Sequence, residues 1–357
     1  MIRQTHPKAS RPIRGRIEAD RNTKSLVQRM KPGSIALIAH DDLDSLAAES
    51  LLRAKVRAVV NAGRTLTGKL PLRAALLLLQ AGVPIFEIEE RDYSVLAGAR
   101  EAVIHTRGIT TPDGWIPCRP FTRERWVEVF LQAQGEERKQ LSRFIENTLH
   151  YAANEKHWLT EPLHCEGLQT ELSGKHVLIV IRGIGYRQDL AALTHYINKK
   201  KPVLIGVDGG ADALLEYGYR PDIIIGDMDS VSDEALQSGA EPLVHSYMNG
   251  LAPGLGRIRS LGLKALTVAS GGTSEDLALM LAYDQQCELI VTVGLHSHMM
   301  DFMEKGRPGM GSNWLVRMKV GSRLVDARGI SQLYPVPSVG KGIGFRSGWT
   351  AFVKSLF

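Results

Sequence analysis

Hydrophobic and polar positions along this chain fall into two regimes: short, wholly apolar runs, and longer segments with apolar residues three or four apart. Continuous apolar runs suit strands buried on both faces of a parallel sheet, and the three-to-four spacing suits helices packed against them. In the first third, residues 34–39 form such a run. A helical pattern over 45–55 follows, with Asp44 or Ser45 as N-cap. Residues 56–61 read as a second strand, 63–68 as a loop, 72–81 as a helix stopped by Gly82, and 83–88 as a third strand. From 123 to 156 the chain is charged and free of proline. Its apolar residues there (Trp126, Phe130, Leu141, Phe144, Ile145, Leu149) keep helical spacing, which predicts one or two long helices. After a linker at 162–174 the alternation returns, with strands at 177–181, 203–207, 223–225, 265–268 and 289–293. Helices are expected between them, at 188–197, 211–217 and 275–283.

This order predicts an α/β fold. A doubly wound, mostly parallel sheet occupies 174–300, preceded by a smaller α/β domain at 31–122 and a helical connector with linker at 123–173. Residues 301–335 read as a C-terminal extension. In the tail, 336–357, Trp349, Phe352, Val353, Leu356 and Phe357 share one helical face opposite Lys354. Such a face suits a membrane surface, a partner protein or the chain's own core.

Charge changes the picture at one end only. The 357 residues carry a net charge of +6. Residues 1–30 hold Arg3, Lys8, Arg11, Arg14, Arg16, Arg21, Lys24 and Arg29 against Glu18 and Asp20, which accounts for the whole excess. A basic arm is expected there, either touching a polyanion or membrane surface or simply solvated. Without interleaved aromatics it predicts no specific nucleic-acid site. Cys118, Cys165 and Cys287 are far apart and make no CxxC pair, which fits a reducing cytoplasm better than a disulfide framework or zinc site. No apolar run approaches the roughly 20 residues that span a bilayer, and no apolar segment of signal-peptide type follows the basic start.

The chemistry concentrates where strands of the second sheet end. Asp208-Gly209-Gly210 leaves one strand and enters a helix, and Asp227-Met228-Asp229 leaves the next. Glycines after Asp208 let the backbone approach an anion. Alternate residues at a strand end point the same way, so Asp227 and Asp229 can converge on one cation. Hard oxygen ligands of this kind suit Mg²⁺ bridging to phosphate. The turn Gly183-Ile184-Gly185 lacks a dinucleotide fingerprint but can cradle a phosphate, with Arg182 or Arg187 as counter-charge.

Together with residues 220–230, Asp208-Gly209-Gly210-Ala211 resembles the catalytic domain of thiamin pyrophosphokinases. The resemblance implies Mg²⁺ and ATP, or another nucleoside triphosphate, held by these acids while a pyrophosphoryl group passes to an alcohol. Gly272-Thr273-Ser274-Glu275-Asp276 is similar to that family's third acidic element. It implies Asp276 as a further metal ligand beside Asp208, Asp227 and Asp229, with Thr273 and Ser274 near the nucleotide alongside Arg182, Gly183, Gly209 and Gly210. Across most of the chain, the Asn61 loop, Arg182-Gly183 and residues 252–254, 271–276, 305–307 and 325–327 resemble the cytokinetic ring protein SteA family. That implies a role in bacterial cell division and envelope remodelling, with a small membrane partner protein and a peripheral position at the division site. A homo-oligomer is the expected state.

Departures from the pyrophosphokinase pattern bear on catalysis. After Asp276 the chain runs Leu-Ala-Leu-Met-Leu where that family places a basic residue. No Gly-Arg-x-Asp-His element follows Val293, and the short remainder is not rich in the alternating strands of a thiamin-gripping domain. The expectation is a Mg²⁺-nucleotide-binding protein with weak or no transfer activity and no assigned catalytic residue. The alternative is an active ATP-dependent diphosphotransferase, a kinase of thiamin, a pterin or another small alcohol.

Three weaker signals remain. Residues 63–69 nearly spell a phosphate loop, but Leu70 replaces the hydroxyl that would meet Mg²⁺ and Pro71 removes a backbone donor. His40, Asp41, Asp42 and Asp44 could bind a metal or, more ordinarily, cap a helix. His296 and His298 read as loop residues near the nucleotide.

Overall fold

The computed structural model describes residues 12–334 except His164. The first eleven residues and the amphipathic tail expected at 336–357 lie outside the described residues. The chain builds two sheets, each closed over by helices.

In the first half, β1 (Ile13–Ala19), α1 (Thr23–Arg29), β2 (Ile35–Ile38), α2 (Ser45–Arg53), β3 (Ala58–Asn61), α3 (Ala74–Gln80) and β4 (Ile85–Glu87) follow one another. They continue into α4 (Tyr93–Gly98) and four short strands: β5 (Glu101–Ile104), β6 (Gly108–Thr111), β7 (Gly114–Pro117) and β8 (Arg119–Phe121). The sheet order is β7-β6-β5-β1-β2-β3-β4-β8. The β1-β2-β3-β4 core is parallel, and both flanks are antiparallel. Here the structure corrects an expectation. The basic arm of residues 1–30 is, from Ile13 onward, a strand inside this sheet followed by a helix. Arg14 and Arg16 point outward and are exposed, while Ile17 on the other face is buried, a period-two pattern that lets a charged segment fold.

One helix, α5 (Arg123–Thr160), runs through the whole predicted connector. At 38 residues it is about 57 Å long. Thr122 caps it by accepting from the Arg125 amide. Trp126, Val129 and Phe144 enter the core over the first sheet, and Leu159 near the end of the helix enters the core of the second. It is a shared wall rather than a tether.

The second half runs β9 (His176–Val180), α6 (Tyr186–Ala192), α7 (Thr194–Lys200), β10 (Val203–Val207), α8 (Gly210–Glu216), β11 (Ile223–Gly226), α9 (Asp233–Leu236), β12 (Glu241–Ser246), α10 (Leu255–Ser260), β13 (Leu266–Ala269), α11 (Ser274–Asp284) and β14 (Leu289–Val293). Then come α12 (Met299–Met303), α13 (Gly311–Val320), β15 (Leu324–Asp326) and α14 (Ile330–Leu333). All seven strands are parallel, in the order β13-β12-β11-β10-β9-β14-β15. The doubly wound α/β fold expected from the apolar runs is present. The predicted C-terminal extension is part of it, since β15 completes the sheet and α13 packs on α5 and α11.

Strand order reverses between β9 and β14. The connections leaving these two strands run to opposite sides in the strand order, the position where open α/β sheets bind ligands. Phe302 and Met303 of α12 are buried in the core of the first half, and the Glu304 carboxylate accepts from the Ser45 amide at 3.4 Å. The carboxyl ends of the two sheets are thereby brought to one cleft.

Candidate functional site

That cleft has a volume of about 790 Å³. From the second sheet it is lined by Arg182 and Arg187 after β9, Asp208 and Gly209 after β10, Ser230 after β11, Glu275 after β13 and His296 after β14. The first sheet contributes Arg21, Lys24, His40, Asp44 and Arg53, and Lys305 comes from the segment after α12. Cations outnumber acids among these residues, and they reach the cleft from both halves.

Asp208 sits at its floor with an unusual backbone, φ 48°. Its Oδ1 accepts from the Asp227 amide at 3.2 Å. This approach depends on Gly226, φ 157°, where a Cβ would meet Asp208 Oδ1 at 1.9 Å. Loss of solvent around the carboxyl, then the neighbouring Asp227 charge, push the Asp208 pKa up to about 7, with Lys24 opposing. Asp227 Oδ1 in turn accepts from the Asp229 amide at 3.0 Å. Asp227 and Asp229 are exposed and line a side cleft of about 130 Å³ with Asn22, Lys24, Ser25, Gln28 and Ser230. Lys24 and Ser230 belong to both clefts.

Asp276 is used differently. It is 1% exposed, and its Oδ2 accepts from the Thr273 amide at 2.9 Å and the Ser312 hydroxyl at 3.0 Å. Its Oδ1 accepts from Asn313 Nδ2 at 2.8 Å. Thr273 and Asp276 thus form a reciprocal cap on α11 that also holds the start of α13. Burial raises the Asp276 pKa to about 6 even so. The four-acid set expected from the sequence is therefore not gathered. Among the described residues no three His, Cys, Asp or Glu side chains converge as metal ligands.

Ser274 meets the Nδ1 of His245 at 3.2 Å, and His245 Nε2 donates to the Ser270 carbonyl at 3.1 Å. Burial lowers the His245 pKa, which favours the neutral ring, with Nδ1 accepting from the Ser274 hydroxyl. Gly183 lies against Gly294, where a Cβ would strike the Gly294 carbonyl oxygen at 2.0 Å, so its role is to let the β9 and β14 loops touch. Arg182 pairs with Asp212 at 3.2 Å and stacks against Gly209. Arg187 pairs with Glu216. The Nε of Arg182 and Nη1 of Arg187 are buried with no hydrogen-bond partner among the described residues. Buried guanidinium donors left open beside a cleft are groups an anion would satisfy.

Most backbone donors of the near-phosphate loop at 63–69 are already engaged within the protein. Asn61 takes the Gly63 amide, Asp41 that of Arg64, Glu87 that of Thr65 and Asp42 that of Thr67, at 2.7–3.0 Å. Asp44 caps α2 by accepting from Ala47. The acids of the His40 cluster thus serve the backbone, although His40 and Asp44 also face the main cleft.

Residues 194–252 match the family described as thiamin pyrophosphokinase, catalytic domain. The matched stretch runs from α7 past β12 and contains both the Asp208 and the Asp227 motifs. Residues 194–252 are thus similar to part of a thiamin pyrophosphokinase catalytic domain. A thiamine pyrophosphokinase from Bacillus subtilis is 22% identical over 43% of this chain and 58% of that one, at a TM-score of 0.26. A thiamin pyrophosphokinase from Geobacillus thermodenitrificans is 23% identical over 42% and 59%, at 0.28. A 3-isopropylmalate dehydratase from Methanocaldococcus jannaschii is 10% identical over 37% and 98%, at 0.24. The chain spans less than two thirds of either pyrophosphokinase structure. With superpositions this low, the fold rests on strand order and the matched segment. No curated protein sequence matches the chain.

No basic residue follows Asp276 within α11, but cations reach the cleft from other elements. Lys24, Arg53 and Lys305 face the cleft from other elements. Sequence reasoning missed them because their nearness to Asp208 is a tertiary fact. Only the alternation of Ile13, Gly15 and Ile17 hinted that the basic start is folded. Among the described residues no helix is long and apolar enough to cross a membrane.

Proposed function

We propose that this cleft binds a nucleoside triphosphate, ATP or another, with Mg²⁺, and that the protein is a pyrophosphokinase-like nucleotide binder with weak or no transfer activity. One observation carries the reading: a solvent-poor Asp208 beside Asp227 at the floor of a cleft otherwise dominated by cations. Mg²⁺ is commonly held by one or two carboxylates together with substrate phosphates and water. The Asp208–Asp227 pair meets that requirement without a third acid. Asp208 and Asp227 would hold the ion, whose charge would offset both carboxylates and the phosphate charge beside them. Lys24, Arg182 and Arg187 would take the remaining phosphate charge. Asp229 orients Asp227 through its amide, and Asp276 holds α11 in place.

The SteA-type motifs support a role in bacterial cell division at the membrane periphery, and a small membrane protein or membrane surface as partner. A second reading, an active diphosphotransferase on a small alcohol such as thiamin or a pterin, gains from the cations supplied by Lys24, Arg53 and Lys305. Pyrophosphoryl transfer depends chiefly on positioning and charge neutralisation.

Calorimetric titration of the full chain with ATP and GTP, each with and without Mg²⁺, tests the binding. Wild type should bind only with Mg²⁺, and Asp208→Asn should weaken binding by about 10-fold or more, the loss of a charge-assisted contact. No binding by wild type, or binding indifferent to Mg²⁺, would sink the proposal. Release of AMP from ATP with an alcohol acceptor would decide for the second reading.

A further inference from the structure

Glu275, His296 and Lys305, which the sequence placed in three separate motifs and loops, form a hydrogen-bonded chain on the wall of the cleft. Glu275 stands in the first turn of α11, His296 follows β14, and Lys305 follows α12. Glu275 Oε1 lies 2.5 Å from His296 Nδ1, and Oε2 accepts from the His296 backbone amide at 3.2 Å. The carboxylate therefore fixes Nδ1 as the protonated nitrogen and leaves Nε2 as an acceptor. Lys305 Nζ meets that Nε2 at 2.7 Å.

The His296 side chain keeps 10% of its surface exposed and that of Glu275 14%. Lys305 lines the same cleft; the residue as a whole is exposed, but its ammonium is turned inward against His296. An ammonium has three N–H donors. One is spent on His296, and the others are free to point at whatever occupies the cleft. A lysine on a flexible four-carbon stem loses considerable rotamer freedom when fixed in one position. Pinning its head through a neutral histidine to a mostly buried carboxylate is a costly arrangement for a residue with no task. The backbone on which Lys305 sits is also held, because Phe302 and Met303 are in the core of the first half.

We propose that Lys305 is a polyphosphate ligand of this cleft and that the Glu275–His296 pair is its positioning device. The proposal rests on the cleft being the polyphosphate site argued above. It deepens that reading by naming a contact on an element, the segment after α12, that lies outside the segment matching the pyrophosphokinase family. It also says how the domain makes good the cation absent after Asp276. Loss of solvent around the ammonium lowers the Lys305 pKa, Glu275 works against that shift and Lys24 adds to it. A bound phosphate would stabilise the charged form in the same place.

The test is calorimetry of the full chain with Mg²⁺-pyrophosphate and Mg²⁺-ATP, on wild type, Lys305→Gln, Glu275→Gln and the double variant. Lys305→Gln should weaken pyrophosphate binding by about 10-fold or more. Glu275→Gln keeps the shape but removes the anchoring charge, and should weaken binding by a smaller factor. The double variant should be no weaker than Lys305→Gln alone, because a positioning residue acts only through what it positions. Additive losses, or a Lys305→Gln protein that binds pyrophosphate like wild type, would overturn the proposal and make the chain a structural strut. A wild type that binds neither ligand would overturn the nucleotide reading itself, and this one with it. If the variants do not fold, the ¹⁵N resonance of His296 Nε2 in wild type serves instead. It should move when pyrophosphate draws on the Lys305 ammonium, and an unmoved resonance at saturation would count against the proposal.

Discussion

Asp208 concentrates the chemistry at the scale of a residue. A carboxyl with a folded pKa of about 7, against an ordinary value near 3.8, holds a proton in the native state that the unfolded chain has released. Between about pH 4 and 7 the native state therefore binds more protons, so stability without metal falls as pH rises through that window and levels off above it. Asp208→Asn should remove this slope. At pH 8 without Mg²⁺ the variant should be more stable than wild type, on the order of 1–3 kcal/mol, as read by urea denaturation. A variant less stable than wild type under those conditions would show that the ionised carboxyl is already satisfied. Sequence made Asp208, Asp227 and Asp229 visible, because acids with adjacent glycines at strand ends are a local signal. It could not reveal that Asp276 is engaged by Ser312 and Asn313, which are 36 and 37 positions away. Nor could it pair Glu275 with His296 and Lys305, since contacts between separate loops leave no periodic trace.

Secondary-structure elements were legible in proportion to their burial. The strands of the second sheet appeared as continuous apolar runs because both of their faces are covered. Asp44 was rightly among the expected caps of α2, and it accepts from Ala47 at 2.7 Å. β12 went unseen, since Pro242 argues against a central strand, yet the strand pairs on both sides. The short antiparallel β5–β8 were equally hidden, being only three or four residues each. Helix α12 is the least predictable element and one of the most consequential, because it inserts two side chains of the second half into the core of the first. Phe302 is 3% exposed there. Phe302→Ala should cost about 3–5 kcal/mol in chemical denaturation. It should also weaken nucleotide binding, because Lys305 stands three residues further on. A loss of stability with unchanged affinity would mean that α12 does not set the position of Lys305.

Across the whole molecule, two sheets turn their carboxyl edges toward one cleft, with α5 and α12 holding them together. A doubly wound sheet alone would offer acids at β10 and β11 and few cations. The first half adds Lys24 and Arg53, and the segment after α12 adds Lys305. The two-part organisation was readable from the alternation of strands and helices, but that the halves share a site was not, because charge balance across an interface depends on how they are packed. A crystal structure of the full chain with Mn²⁺ and a non-hydrolysable ATP analogue, phased to locate the manganese by its anomalous signal, puts this most directly to the test. The expected result is one manganese peak between the carboxylates of Asp208 and Asp227, with the triphosphate reaching Lys24 and Lys305. A nucleotide bound outside the cleft, or manganese away from those two acids, would contradict it.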